Sequence, residues 1–496
     1  MKLHHFALGA LAVVASACSS EGDDRSEAST GTTETPVIAG DIAVALQRVP
    51  GVLEVLEQPP GPLGVRYFSV RFEQPVDHRH PEGEKFSQRL SLIFRGQGTP
   101  MVLSTPGYFI GTGRPRESEP AHVLRANQIH LEHRFFGQSR PPSMDWAKLD
   151  IFQAASDAHR IVQAFRPLFP AKWLSTGGSK GGMTATFHRF FYPDDVFASV
   201  PYEAPVSYGT SDPAYIPFLH HVGNADCREK VSAFQVELLR RRGEIEARMQ
   251  SQAAAAGDGY EVLGIHRALD FTVTETPFLF WQALGIDSCA SVPPATASTD
   301  ALYAFFDAII AGVNTLYGNA ALDAFAGYFY QSATELGGPA YDYTKTREFL
   351  TPHFRDVPQD LPPFGVKKPF RPASMPVIAA WVRGHGERMM YIYGANDPWA
   401  SRPYEVRREN DSYRYFVPNG THQSFIGDLP EAEQREALAT LGRWMDVEPL
   451  DERRSAAKDD GVQNEVVGHE LERRVVAPQD HAAARVRESA RLGPFD

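Results

Sequence analysis

The sequence contains few cysteines, no long apolar run beyond its N-terminus and no excess of basic charge. Three cysteines occur among 496 residues, and 49 Lys and Arg against 61 Asp and Glu give a formal net charge of −12. A nucleic-acid-binding protein needs a basic surface to neutralise phosphates, so this balance argues against DNA or RNA as a partner. No internal segment supplies the roughly 20 apolar residues of a membrane-spanning helix, so we expect a soluble or tethered protein.

Signatures of metals and organic cofactors are also missing from the sequence. His220 and His221 have no nearby ligand pattern of the kind that zinc sites use. Neither a phosphate-binding glycine loop nor a dinucleotide fingerprint occurs. We therefore expect a protein that works without a metal or a cofactor.

The N-terminus has the order of an export signal. Lys2 precedes a short apolar core at residues 6–14, and Ala15-Ser16-Ala17 ends that core with small side chains. This order predicts a signal peptide at residues 1–17 and an exported protein. Cys18 follows directly and resembles the lipid-accepting cysteine of a bacterial lipoprotein, which would tether the protein to the membrane of the cell envelope. The alternative is an ordinary A-x-A cleavage site and a secreted protein in which Cys18 is incidental.

The two remaining cysteines form an even pair. Cys227 and Cys289 lie far beyond the signal, in a region of helical pattern. Outside the cytosol, thiols are not kept reduced, so we expect these two residues to form a disulfide.

Both ends of the predicted fold are polar segments. Residues 18–41 are rich in Ser, Thr, Glu, Asp and Gly without an apolar period, which predicts a flexible tether. Residues 448–496 are charged and poor in aromatics, which predicts a loosely packed C-terminal tail.

Between these segments, residues 42–205 and 376–447 alternate short apolar runs with helical periods. That alternation predicts parallel β-α-β units and an α/β fold with a mostly parallel sheet. Residues 206–375 show helical patterns without alternating strands, so we expect a large inserted helical cap over the core. Within the cap, residues 227–256 are predicted to form one long amphipathic helix.

The strongest local motif is Gly177-Gly178-Ser179-Lys180-Gly181, which fits G-x-S-x-G. It lies between a predicted strand and a predicted helix, which is the context of a nucleophile elbow in an α/β-hydrolase fold. Ser179 must occupy a tight, strained turn, and a Cβ two residues to either side would crowd it. The motif therefore predicts Ser179 as a nucleophile at the N-terminus of a helix, where backbone N–H groups favour negative charge.

The acid and the base are chosen by their order along the chain, which in this fold is Ser, then acid, then His. Asp397 follows a buried-strand pattern and is held in a turn by Pro398. His422 follows the next strand pattern through a loop with turn residues, whereas His469 and His481 lie in the charged tail. Asp397 is therefore predicted to orient the imidazole of His422, and His422 to act as the general base.

The same fold requires two backbone donors for the oxyanion. The Lys180 N–H follows the nucleophile directly. The second donor comes from the loop after an early strand, where Gly107 and Tyr108 are the candidates because Gly107 allows close backbone approach.

Two segments resemble a known family. Residues 176–184 resemble the nucleophile signature of the secreted tripeptidyl aminopeptidases, serine peptidase family 37, and residues 132–141 resemble that family's segment after an early core strand. The resemblance extends over residues 65–445. It implies an α/β-hydrolase core with a helical cap, Ser179, Asp397 and His422 as catalytic residues, and release of tripeptides from free N-termini.

An aminopeptidase must pair the substrate's ammonium group with carboxylates near the cap. Glu203 is the first candidate, because it lies where the core passes into the cap, and Glu132 near a strand end is the second. For each, the alternative is a salt bridge to an arginine such as Arg134.

Three functions remain open at this stage. The first is an exopeptidase that acts on peptides with a free N-terminus. The second is a carboxylic-ester hydrolase with the same three residues. The third is a non-enzymatic surface protein that uses the fold for binding.

Overall fold

The computed structural model describes residues 40–60, 63–111, 115–309 and 312–450. The predicted signal peptide, Cys18, most of the predicted tether and nearly all of the predicted tail lie outside the described residues. Among the described helices, none combines the length and apolarity that crossing a membrane requires.

The described strands form one nine-stranded sheet in the order β1-β2-β3-β5-β4-β6-β7-β8-β9. The strands are β1 (Val52–Gln58), β2 (Arg66–Pro75), β3 (Lys85–Phe94), β4 (Met101–Ser104), β5 (Asn127–Leu131), β6 (Trp173–Gly178), β7 (Ala198–Tyr202), β8 (Met390–Gly394) and β9 (Tyr413–Val417).

The α-helices of the described residues alternate with these strands at both ends of the chain and follow one another in its middle. They are α1 (Ile42–Gln47), α2 (Glu119–Val123), α3 (Ile151–Phe165), α4 (Lys180–Phe191), α5 (Tyr215–His221), α6 (Ala225–Arg240), α7 (Arg242–Ala255), α8 (Ile265–Ala283), α9 (Thr299–Ile309), α10 (Asn314–Tyr317), α11 (Asn319–Ala324), α12 (Ala326–Gln331), α13 (Ser374–His385) and α14 (Glu431–Met445).

The strand order and directions are those of an α/β-hydrolase core. Strands β1, β2 and β3 pair antiparallel, β3 pairs antiparallel with β5, and the pairs from β5 through β4 to β9 are parallel. The chain order reverses at β4, which lies between β5 and β6. Ligands in open α/β sheets bind beyond the carboxyl ends of the strands at such a switch point, and β6 ends there at Gly178, one residue before Ser179.

Helices cover both faces of the sheet, which explains why its central strands are buried on both sides. Leu103 of β4 packs in a cluster with Phe165 of α3, whereas its neighbour Val102 packs in another with Leu441 of α14. All residues of β4, β5, β6 and β7 are buried. Burial of whole strands, polar residues such as Gln128 and Thr176 included, is typical of a parallel sheet enclosed between two helical layers.

The cap is an inserted helical region between β7 and α13 with a core of its own. Its helices bury one cluster that includes Phe234, Leu238, Phe271 and Phe306. The predicted disulfide is formed, since Cys227 near the start of α6 is bonded to Cys289 in a 3-10 turn after α8, across 62 residues and with a Cα–Cα distance of 5.4 Å.

The prediction of one helix over residues 227–256 is wrong, because the chain breaks between α6 and α7. The break occurs at Arg241, whose backbone has φ −96° and ψ 24°. Its guanidinium donates to the carbonyl oxygens of Ala295 and Ala297, both at 2.8 Å. These contacts with a distant segment hold Arg241 in a turn that its local helical pattern does not indicate.

Candidate active site

Ser179 occupies a strained turn between β6 and α4. Its φ of 56° and ψ of −127° lie in a region that non-glycine residues rarely adopt. It is the N-cap residue of α4, so the N–H groups of the first helical turn point toward its side of the sheet edge. A strained serine at this position is what a nucleophile elbow requires.

The glycines around Ser179 are dictated by backbone contacts. A Cβ on Gly177 or on Gly181 would collide with the carbonyl oxygen of Thr105. A Cβ on Gly182 would lie 2.8 Å from the carbonyl oxygen of Tyr202. Since each obstacle is backbone and cannot rotate away, the elbow packs against two neighbouring strand ends only when these positions lack side chains.

Asp397 and His422 form a buried, hydrogen-bonded pair. The Nδ1 atom of His422 lies 2.6 Å from Oδ2 of Asp397, and the two residues are 3% and 0% exposed. Asp397 follows β8, caps a 3-10 turn by accepting the Trp399 N–H at 3.2 Å, and thereby has its carboxylate fixed. With Nδ1 engaged by the carboxylate, Nε2 is the ring nitrogen left for proton transfer.

Ser179 and His422 line the same cavity, between the carboxyl ends of the core strands and the cap. Its volume is about 360 Å³, and its wall is mostly apolar, with Phe278 and Leu279 from the cap. The cap is linked to the His422 loop here, because the carbonyl oxygen of Gln282 accepts the His422 backbone N–H at 3.0 Å. The three predicted residues are thus brought together at one enclosed site.

The loop after β4 lies directly over the start of α4. Gly107 has φ +80°, and a Cβ there would lie 2.7 Å from the backbone N of Gly181. The structure therefore places the backbone of Gly107 beside that of Lys180, where the sequence predicts the oxyanion donors, and Tyr108 lines the cavity.

The Lys180 side chain holds this loop in place, a role that the sequence analysis missed. Its Nζ donates to the carbonyl oxygen of Gly107 at 2.5 Å and lies 5.2 Å from the ring centroid of Tyr108 and 5.0 Å from that of Phe136. The residue is 2% exposed, and burial lowers the pKa of its ammonium group well below the usual value. The lysine beside the nucleophile thus supports the predicted oxyanion loop.

Glu203 does not lie on the cavity wall, so its predicted role in binding the substrate ammonium is corrected. It is 1% exposed, accepts the Gly394 N–H at 2.6 Å and lies behind Asp397. One ligand atom each from Glu203, Asp397 and His422 lie within 4.8 Å of one another. Burial, and then the charge of Asp397, raises the pKa of Glu203 well above its usual value, so this carboxyl group supports the predicted acid from behind instead of facing substrate.

Glu132 is also an interior residue, and its predicted role is corrected in the same way. It is fully buried and forms an ion pair with Arg89 at 2.9 Å. Its oxygens also accept the Ile110 N–H and the Ser139 hydroxyl. The alternative of a salt bridge is thus the correct one, although Arg134 instead pairs with Asp157 at 2.7 Å.

Two other carboxylates line the cavity and were missed by the sequence analysis. Glu275 of α8 and Asp356 of a loop before α13 both face the space that Ser179 and His422 line. Glu275 lies just before the mostly apolar stretch at residues 277–281 of α8, which is a signal that could have been noticed. Asp356 lies in an irregular loop, where the sequence offers no comparable signal.

Comparison with known proteins assigns the family. The model of the PS-10 peptidase family S37 matches residues 35–474. The chain belongs to this family of serine peptidases. It is 39% identical over 414 residues to the prolyl tri/tetrapeptidyl aminopeptidase of Streptomyces mobaraensis. The aligned region covers 82% of this chain and 86% of that protein. It is also 32% identical over 229 residues to the thymus-specific serine protease of Mus musculus, over 40% of this chain and 45% of that protein.

Solved structures with related folds are distant in sequence. The peroxisomal α/β-hydrolase Lpx1 of Saccharomyces cerevisiae covers 87% of this chain and 99% of its own, with 10% identity and a TM-score of 0.32. The proline iminopeptidase of Mycobacterium smegmatis covers 79% of this chain and 98% of its own, with 13% identity and a TM-score of 0.32. The assignment of the fold to this family 37 peptidase therefore depends on its own strand order.

Proposed function

We propose that this family 37 peptidase is an exported exopeptidase that removes short peptides, mainly tripeptides, from free N-termini through an acyl-enzyme on Ser179. The observation that carries the proposal is the cavity that Ser179 shares with His422, whose Nδ1 is 2.6 Å from Asp397. The name of the Streptomyces relative, a prolyl tri/tetrapeptidyl aminopeptidase, supports the substrate class.

In this proposal, His422 Nε2 takes the proton of the Ser179 hydroxyl as Oγ attacks the scissile carbonyl carbon. Asp397 accepts the Nδ1–H and stabilises the imidazolium. The oxyanion is stabilised by the Lys180 N–H and by a donor from Gly107 or Tyr108. The imidazolium then protonates the leaving amine, and water hydrolyses the acyl-enzyme with His422 again as base, so Ser179 regains its proton.

The test is mass spectrometry of the products released from a mixed peptide library, half of it N-acetylated. We expect tripeptides from the free N-termini and an unchanged acetylated half. Ser179→Ala should lower the rate by about 10⁴-fold or more, since the nucleophile carries most of the catalysis. Equal cleavage of the acetylated peptides, or faster hydrolysis of a short acyl ester than of any peptide, would favour the ester-hydrolase alternative. Failure to react with a fluorophosphonate probe would favour the binding protein.

Export is a separate part of the proposal. It is supported by the signal order of residues 1–17 and by the disulfide between Cys227 and Cys289, a bond typical of oxidising compartments. Cell fractionation of the protein and of Cys18→Ser tests the anchor. We expect the native protein in the membrane fraction and the variant in the soluble fraction; an equal distribution would indicate that Cys18 is not lipidated.

A further inference from the structure

The cavity contains a pair of acidic side chains with no cation beside them. Glu275 and Asp356 line it together with Ser179 and His422, and both belong to the cap. Neither carboxylate takes part in an ion pair within the part of the chain that the structure describes. The one lysine among the lining residues, Lys180, has its Nζ engaged by the Gly107 carbonyl oxygen.

Two other buried carboxylates of the cap, in contrast, have a cation from the chain itself. Asp270 in the same helix as Glu275 pairs with Arg242, and Asp212 pairs with Arg402 at 3.1 Å. A buried carboxylate without a cation or donors is costly, so proteins usually supply a partner from their own chain. For this pair the partner is expected from outside.

The local contacts show which oxygen awaits a donor. Glu275 accepts a hydrogen bond from the Tyr317 hydroxyl at 2.5 Å. Asp356 is 8% exposed, and its Oδ2 has no hydrogen-bond donor among the described residues. Burial raises the pKa of Glu275, while burial and then the charge of Glu275 raise that of Asp356. A bound cation would stabilise both groups in their ionised form.

A primary ammonium group matches this arrangement. It brings one positive charge and three N–H donors, whereas the pair offers two carboxyl groups and an oxygen that lacks a donor. The surrounding wall, with Phe278 and Tyr341, is largely apolar, so the ammonium would lose its water and gain correspondingly from the carboxylates. A neutral or acylated N-terminus could do neither.

We propose that Glu275 and Asp356 bind the α-ammonium group of the peptide substrate. The inference rests on the proposed aminopeptidase function and adds the residues that recognise the free N-terminus. Because the pair lines the cavity of Ser179, the separation between the two groups sets how many residues fit between the N-terminus and the scissile carbonyl. The cap thus determines the length of the released peptide.

The experiment compares two tripeptide anilides that differ only at the α-amino group, which one of them lacks. The readout is the ratio of kcat/KM for the amino to that for the desamino substrate, measured for the native protein, Glu275→Gln, Asp356→Asn and the double variant. The native ratio should be about 10 to 100 or more, the range for a buried charge-assisted contact. Each single variant should lower it, and the double variant should bring it near 1.

The control variant is Asp342→Asn, another cap carboxylate, which pairs with His220 on the surface and does not line the cavity. It should keep the native ratio. Thermal unfolding and reaction with a fluorophosphonate probe show whether each variant is folded with a reactive Ser179. If a Glu275 variant does not fold, Asp356→Asn decides by itself, because its Oδ2 has no donor to lose.

The outcomes separate the two proposals. If the native protein prefers the amino substrate and the variants keep the same preference, the assignment of Glu275 and Asp356 is overturned. The aminopeptidase function then remains intact. A native protein without any preference for the amino substrate overturns the aminopeptidase function and the ammonium site together.

Discussion

At the residue scale, a second carboxyl group, that of Glu203, lies behind the carboxylate of Asp397. Glu203 accepts the Gly394 N–H with one oxygen, while the other faces Asp397 and no donor group. Two carboxyl groups form a hydrogen bond only when one is protonated, and the pKa of Glu203 is the one that burial and Asp397 raise. We therefore expect Glu203 to act as a positioning residue, whose carboxyl group donates to Asp397 and keeps it aligned with His422.

This arrangement gives opposite expectations for two substitutions of Glu203. Glutamine keeps both hydrogen bonds without needing a proton, so Glu203→Gln should stay within about threefold of the native kcat at neutral pH. Glu203→Ala leaves Asp397 and the Gly394 N–H without their partner and should lower kcat at least about tenfold. The measurement is kcat and KM on a free tripeptide anilide. A glutamine variant as inactive as the alanine variant would mean that an ionised carboxylate is needed.

At the element scale, the elbow depends on close packing between α4 and the loop after β4. A Cβ on Gly181 would collide with the carbonyl oxygen of Thr105. It would also lie 2.9 Å from the carbonyl carbon of Pro106. Because both obstacles are backbone, the loop that carries Gly107 must shift when the side chain is added. Stability and the oxyanion geometry are therefore coupled at this contact.

We expect Gly181→Ala to lower the free energy of unfolding by about 1–3 kcal/mol and to reduce kcat more than KM. Gly243→Ala is the matched control, since Gly243 is an exposed residue of α7 with nothing within 4 Å of its added Cβ. Alanine there should raise stability by up to about 1 kcal/mol, through helix propensity. Chemical denaturation of both variants and kinetics with the same anilide test this. Equal effects at the two positions would show that the contact with Thr105 is unimportant.

The elements also show where the sequence pattern was sufficient. Strands β8 and β9 lie where the strand patterns before Asp397 and His422 predict them, because burial of a strand leaves a local mark in the sequence. The break between α6 and α7 leaves no such mark, since contacts of Arg241 with residues 50 or more positions away hold it. Strand β1 lies at the edge of the sheet and has no alternating burial, so its sequence carries no clear strand pattern.

At the scale of the whole molecule, a carboxylate joins the cap to the core. Glu335, in a π-helical turn of the cap, accepts the N–H of Ile151 at the start of α3 and pairs with Arg371, both at 2.9 Å. Burial, and then the charge of Asp150, raises the pKa of Glu335 to about 7. The carboxyl group that connects the cap to the core therefore titrates near neutral pH.

The sign of the pH dependence follows from that raised pKa. Between the ordinary glutamate pKa and about 7, the folded protein holds a proton on Glu335 that the unfolded chain has released. The contribution of Glu335 to the free energy of unfolding is therefore complete at pH values below the ordinary glutamate pKa. It is lost as the pH rises through about 7. Glu335→Gln should remove that loss, so the variant should gain about 1–3 kcal/mol relative to the native protein between pH 5 and pH 8. Thermal midpoints of both proteins at the two pH values check this, and parallel curves would contradict it.

The sequence by itself determined the α/β-hydrolase fold, the family and the positions of Ser179, Asp397 and His422, because a strained turn and the ends of buried strands are local features. Only the tertiary structure decided what each glutamate does. Glu132 pairs with Arg89, Glu203 lies beside Asp397, which raises its pKa, and Glu275 faces the cavity with Asp356. The charge state of a carboxyl group depends on which distant groups folding brings within a few ångströms, and a linear sequence does not record those distances.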